Sequence, residues 1–315
     1  MDTANTPLSR GVTVTAASTL AAAGLALVNG ALTRRAEHQL PKLGDYIEVD
    51  GVRLRYLSRG EGPPVVLVHG NGTMIEDWTA SGVFDALAGS HRVIAFDRPG
   101  FGCSDRPRGK DWSPQEQADL LARALDELGI ASAVVVGHSI GTQIVLALAL
   151  NHPRLVSRMV LVSGYYFPTT RMDTKLFAPP AIPVLGDLMR HTVSPWLSRA
   201  MTPLVNRELF APGEVPRAWT EGYPFELAYR PSQIFALSSD STHLVTTAQA
   251  LCGRYQELVS LPVTIITGDG DRVVDLEPQS RRLHAELPHS ELIVLPGVGH
   301  MAHYSAVAQI AAAVG

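Results

Sequence analysis

The stretch AVVVGHSIGTQIVLALAL, from Ala133 to Leu150, decides the fold. A β-branched run, Val134-Val135-Val136, leads into Gly137-His138-Ser139-Ile140-Gly141 and then into nine residues apolar enough for a buried helix. Ser139 therefore stands where a strand turns sharply into a helix, with a glycine two positions away on each side. A turn this tight brings the backbone before and after the serine together, and a Cβ at position 137 or 141 would clash. The turn lifts the hydroxyl off the sheet edge, and the following helix N-terminus points N–H donors at any anion formed there. A G-x-S-x-G in this strand–turn–helix context marks a nucleophilic serine.

The 315 residues can bury a sizeable core and suit one large α/β domain carrying an insertion. A hydrophobic content of 46% with 18% charged residues describes a folded chain. The net charge of −4 leaves no basic footprint, which argues against nucleic acid as a partner. Cys103 and Cys252 lie far apart, outside any C-x-x-C or Cys/His ligand spacing, so neither a metal site nor a redox pair is expected.

The N-terminal segment, residues 1–40, stands apart. No charged residue lies between Arg10 and Arg34, and Val12 to Leu32 is mainly Ala, Val, Leu, Gly and Thr. Its length suffices for a bilayer at about 1.5 Å per residue, but its Ala, Gly and Thr content makes insertion marginal. Three readings fit: a membrane anchor, an accessory helix lying on the domain or on a neighbour, and a secretory signal. Arg34, Arg35 and Lys42 would leave the following domain in the cytoplasm if the segment spans. The expected location is accordingly membrane-associated through residues 12–32, or cytoplasmic.

From Tyr46 the pattern is sheet-like. Tyr46–Val49 and Val52–Leu57 alternate around Asp50-Gly51, a hairpin signal. Buried strands are expected at Val65–Val68, Arg92–Phe96, Met159–Val162, Val263–Thr267 and Glu291–Leu295. Between Ser113 and Leu128 an N-cap serine, Pro114 and Glu116 open a helix. Strands alternating with helices predict a mainly parallel twisted sheet covered on both faces. The rhythm breaks over residues 165–255, a proline-rich stretch of short helical patterns that reads as an inserted helical cap. The core is then residues 41–164 and 256–315.

A serine needs a base, itself oriented by an acid. Thr267 is followed by Gly268-Asp269-Gly270-Asp271, and Leu295 by Pro296-Gly297-Val298-Gly299-His300. Catalytic groups of open α/β sheets gather at the carboxyl ends of strands, and all three groups stand there in the chain order Ser, Asp, His.

Taken with the strand-end His69-Gly70, the Asp97-Arg98-Pro99-Gly100-Phe101-Gly102-Cys103-Ser104 turn and the Gly299-His300 loop, the chain resembles the α/β-hydrolase-fold serine hydrolases, esterase- or lipase-like with a cap. The resemblance covers Tyr46 to the C-terminus apart from the cap. It implies Ser139 as nucleophile, His300 as base and then acid, and Asp271 as its orienting acid. It also implies an oxyanion hole from the backbone N–H groups of Asn71 and Ile140, with His69, Gly70, Gly137 and Gly141 as support. The family's G-x-x-D spacing selects Asp271 over Asp269 and Asp275. His303 is expected to pack or touch substrate, His138 to be a packed, hydrogen-bonded side chain, and Asp97 to stabilise its turn. Dehalogenases and epoxide hydrolases of this fold carry an aspartate where this chain has Ser139.

The expected activity is cleavage of a small-molecule carboxylic ester or related acyl compound through an acyl-enzyme, with no metal or organic cofactor. Carbon–carbon bond hydrolysis, thioester or lactone cleavage, acyl transfer and cofactor-free perhydrolysis share the same three residues. A ligand receptor on the same fold is the alternative of another class. Apolar cap residues such as Phe167, Trp196, Trp219, Tyr223, Phe225 and Phe235 suit a medium-sized apolar group, or simply pack the cap.

Overall fold

The computed structural model describes residues 7–39, 44–170 and 178–315, with side chains from Thr19 onward in the first segment. Among the described residues eight strands form one sheet in the order β1-β2-β4-β3-β5-β6-β7-β8. They are β1 (Asp45–Val49), β2 (Val52–Arg59), β3 (Pro64–Val68), β4 (Arg92–Phe96), β5 (Ala133–His138), β6 (Val156–Val162), β7 (Val263–Gly268) and β8 (Glu291–Leu295). Asp50 and Gly51 both take positive φ, the geometry a two-residue hairpin needs, and set β1 antiparallel to β2. β2 meets β4 antiparallel, and every pairing from β4 through β8 is parallel.

The strands that the sequence renders as unbroken Val/Ile/Leu runs are those buried on both faces. Val65 to Val68 and Val93 to Phe96 are almost wholly inaccessible, and the core divides into one cluster on each side of the sheet. One face is covered by α4 (Pro114–Glu127) and α5 (Gly141–Asn151), the other by α2 (Ile75–Ala80), α3 (Val83–Ala88) and the C-terminal helix Val307–Val314. At the start of α4 the Ser113 hydroxyl accepts the Glu116 N–H at 3.3 Å, the cap the sequence calls for. β3 lies between β4 and β5, so the chain leaves it first to one side and then to the other. This is the switch point where open α/β sheets place their sites.

Between β6 and β7 the described residues are helical: α6 (Leu185–His191), α7 (Ser194–Phe210), α8 (Arg217–Gly222), α9 (Phe225–Ala228) and the long α10 (Pro231–Cys252). Trp219 stacks on Tyr223 and packs with Phe210 and Tyr304, so these aromatics hold the insertion together. Trp196 instead lies on the outer surface, 42% exposed.

The N-terminal segment forms helix α1 (Pro7–Gln39). Its C-terminal part lies on the insertion: Asn29 donates to the carbonyls of His191 and Thr192, Ala36 is buried, and Glu37 pairs with Arg230. The expected anchor, Val12–Leu32, falls partly on side chains outside the described residues. Among the described residues no helix is long and apolar enough to cross a membrane.

Candidate active site

Ser139 follows directly on β5 with φ of +52°, a left-handed conformation that costs a serine energy and is held by its surroundings. Its N–H is bonded to Val162 O, and its carbonyl accepts both the N–H and the hydroxyl of Thr142. The flanking glycines are required sterically. A Cβ on Gly137 would lie 2.9 Å from the Gly141 carbonyl, and one on Gly141 would lie 2.4 Å from Val68 O. The sharp turn exists only because two side chains are missing.

His300, on the loop after β8, reaches Ser139 Oγ with Nε2 at 3.0 Å. Its Nδ1 lies 2.9 Å from Asp271 Oδ2, on the loop after β7. Asp271 Oδ1 accepts the N–H groups of Val273 and Val274 at 2.8 and 2.9 Å, which fixes the carboxylate in place. With Nδ1–H donating to Asp271 Oδ2, Nε2 presents its lone pair to the serine hydroxyl. Of the rival carboxylates, Asp269 accepts the Gly297 N–H at 2.6 Å and ties two loops, and Asp275 is exposed.

The 69–72 loop lies against this turn: a Cβ on Gly70 would sit 3.3 Å from Ser139 Cβ. His69 is locked beneath the loop. The Arg98 N–H donates to its Nε2 at 2.9 Å, so Nδ1 carries the proton and donates to Gly70 O at 2.8 Å. Burial and the nearby Arg98 guanidinium hold His69 well below the usual histidine range, and it stays neutral. Asn71 donates its side-chain amide to Ser241 Oγ and Leu237 O of α10. Asp97 stabilises its turn as expected, accepting from Ile75 N, Cys103 N and Arg55.

His138 donates from Nε2 to the His300 carbonyl at 3.1 Å, a carbonyl being able only to accept. Its ring packs between those of His300 and His303, at 5.1 and 4.3 Å. Burial, with His303 and His300 beside it, keeps His138 neutral. His303 is wholly buried and bonded through Nε2 to Asp77 Oδ1 at 3.0 Å, so it packs rather than faces a substrate. Sequence reasoning missed Asp77, which sits in α2 with nothing local to link it to His303. Among the described residues, Asp77, His138 and His303 bring ligand-type atoms within 4.8 Å of one another. The hydrogen bonds of His303 to Asp77 and of His138 to the His300 carbonyl account for the cluster as packing behind His300.

A cavity of about 760 Å³ lies apart from Ser139, between β2, the 100–108 loop, α10 and α1. Its arginines are matched by carboxylates: Arg55 by Glu76 and Asp97, Arg106 by Asp240, Arg190 by Asp187 and Arg230 by Glu37.

Comparison with known proteins decides the family: residues 63–307 match the model described as alpha/beta hydrolase fold. The chain belongs to the α/β-hydrolase fold family. It is 30% identical over 258 residues, 80% of this chain and 89% of the other, to the uncharacterized hydrolase YugF of Bacillus subtilis (strain 168). It is 39% identical over 133 residues to the 2-hydroxymuconate semialdehyde hydrolase of Pseudomonas sp. (strain CF600), a match covering 41% of this chain and 47% of that enzyme. The chain thus spans about half the length of that relative. Among solved structures, a point mutant of the meta-cleavage product hydrolase CumD superposes with a TM-score of 0.63 at 28% identity, covering 86% of this α/β hydrolase and 96% of the other chain.

Proposed function

We propose that this α/β hydrolase is a serine hydrolase that cleaves a carboxylic ester or related acyl compound through an acyl-enzyme. The observation that carries the reading is His300, bonded on one side to Ser139 Oγ and on the other to Asp271. His300 Nε2 takes the hydroxyl proton as Oγ attacks the carbonyl carbon. The Asp271 carboxylate holds the ring and stabilises the imidazolium. The oxyanion is met by the backbone N–H groups of Ile140 and Asn71, each contributing about 3–4 kcal/mol in such a site. His300 then protonates the leaving alcohol. Water, activated by the same histidine, releases the acid. The test is burst kinetics with p-nitrophenyl esters of graded acyl length on the parent and on Ser139→Ala. A burst followed by steady turnover, absent from the variant, supports the reading. Equal activity in both overturns Ser139 as the nucleophile.

A second reading, carbon–carbon bond hydrolysis, is favoured by the similarity to 2-hydroxymuconate semialdehyde hydrolase and to the CumD structure. The same three residues serve it, with water or the serine attacking a ketone carbonyl. Turnover of 2-hydroxymuconate semialdehyde by a protein inert to every ester would move this reading ahead.

A further inference from the structure

A side chain that only fills a core is best made of carbon, because a buried polar atom without a partner costs free energy. Asp77, His138 and His303 are buried, none of them more than 2% exposed. Each has one polar atom bonded and the other, Asp77 Oδ2, His138 Nδ1 or His303 Nδ1, without a partner. Apolar side chains of similar shape would pack there without that cost. The atoms that are bonded therefore show what these polar residues supply.

Those bonds converge on the segment that carries His300. His138 Nε2 donates to the His300 carbonyl at 3.1 Å, and the two rings lie 5.1 Å apart. His138 ends β5 and directly precedes Ser139, so one strand carries the serine and the contact that holds His300. Just beyond His300, the turn Ala302–Tyr304 is tied down by two side chains. His303 Nε2 lies 3.0 Å from Asp77 Oδ1, and the Tyr304 hydroxyl donates to the same oxygen at 3.1 Å. Asp77 belongs to α2, the helix that follows the 69–72 loop. Hydrogen bonds thus join the segments bearing Ser139, His300 and the 69–72 loop. The His300 carbonyl is attached to the Cα that bears the imidazole, so displacing it moves Nε2 away from Ser139 Oγ.

We propose that His138, with the His303–Asp77 pair behind it, is a positioning residue that holds the His300 backbone where its imidazole meets Ser139. This role rests on the reading of Ser139 and His300 as nucleophile and base. The Nε2–H donor supplies it, and the ring itself does not. Glutamine at 138 presents an amide N–H at the reach of Nε2, whereas leucine fills the space with no donor. Both lack the imidazole, so the difference between them separates the hydrogen bond from ring packing.

Two measurements on the full chain test this, with thermal unfolding confirming that each variant is folded. His138→Met is the second donor-free variant should His138→Leu not fold. The first measurement is the downfield proton resonance of His300 Nδ1–H, assigned by its loss in His300→Gln. It needs no substrate. The resonance is expected to persist in His138→Gln and to broaden away by exchange in the donor-free variant. The second is the rate of labelling Ser139 with a fluorophosphonate, in which Oγ–P forms, P–F breaks and the hydroxyl proton passes to His300. Labelling is expected to slow about 100-fold without the donor and to stay within about threefold of the parent in His138→Gln. A His300 resonance as sharp in the donor-free variant as in the parent overturns the proposal, and so does equal labelling of the two variants. A parent that resists the reagent overturns the serine-hydrolase reading instead, and the resonance still decides the positioning role.

Discussion

Arg98 and Asp240, 142 residues apart, form a buried ion pair with Nη1 2.5 Å from Oδ2. Arg98 also donates to the carbonyls of His69 and Gly70, while Asp240 Oδ1 pairs with Arg106. One guanidinium thus connects the loop beneath Ser139 to α10 of the helical insertion. Asn71, bonded to Ser241 and Leu237, makes a second connection between the same two elements. Loop position and insertion position are coupled through these side chains.

Asp240→Asn removes the charge facing Arg98 and Arg106 and leaves buried cations uncompensated. The expected loss is about 3–5 kcal/mol of stability, read from urea unfolding. A variant within about 0.5 kcal/mol of the parent would contradict the coupling.

Asp271→Asn keeps the shape of the acid but not its charge. His300 would lose the acceptor that orders its tautomer, and kcat on the best ester is expected to fall about 10⁴-fold with little change in KM. Retained kcat would remove Asp271 from the proposed machinery.

Gly141→Ala places a methyl group 2.4 Å from Val68 O, where the end of β3 meets the start of α5. Because the opposing atom is backbone, the strain cannot be relieved by a rotamer change. A destabilisation of about 1–3 kcal/mol is expected in thermal or denaturant unfolding.

His69 and His138 stay neutral in the fold, their affinity for protons pushed well below the ordinary 6.5 by burial and neighbouring charge. In the unfolded chain both take up protons as the pH falls through 6.5. The unfolded state then binds more protons than the folded one, so stability declines as the pH drops below that value. Each histidine contributes a slope of about 1.4 kcal/mol per pH unit. Unfolding free energies measured from neutral pH down to about one unit below the ordinary histidine value should show the decline, and His138→Gln should make it shallower. An unchanged slope in that variant would mean His138 is protonated in the fold.

The elements readable in the chain are those specified by neighbours in sequence. Asp50-Gly51 demanded a hairpin because both residues accept positive φ. Ser113 announced its helix because the cap it offers lies three residues from its partner. The turn at Ser139 was readable from Gly137 and Gly141 because the steric demand is local. The order Ser139, Asp271, His300 at strand ends followed from knowing that parallel strands share one carboxyl edge. That logic places loops together without saying which side chains bond.

What only the tertiary structure decided are pairings between distant segments. Asp77 with His303, Arg98 with Asp240 and His138 with the His300 carbonyl span 226, 142 and 162 residues. Each is satisfied only because buried polar groups must find partners wherever the packed chain brings them. The same holds for α1 and the apolar side of α7. Composition marked α1 as apolar, but an apolar helical stripe reads the same whether it faces a core or solvent. Only the packing of Asn29 and Ala36 against the insertion, with Leu197 and Leu204 left outside, settled which way these helices turn.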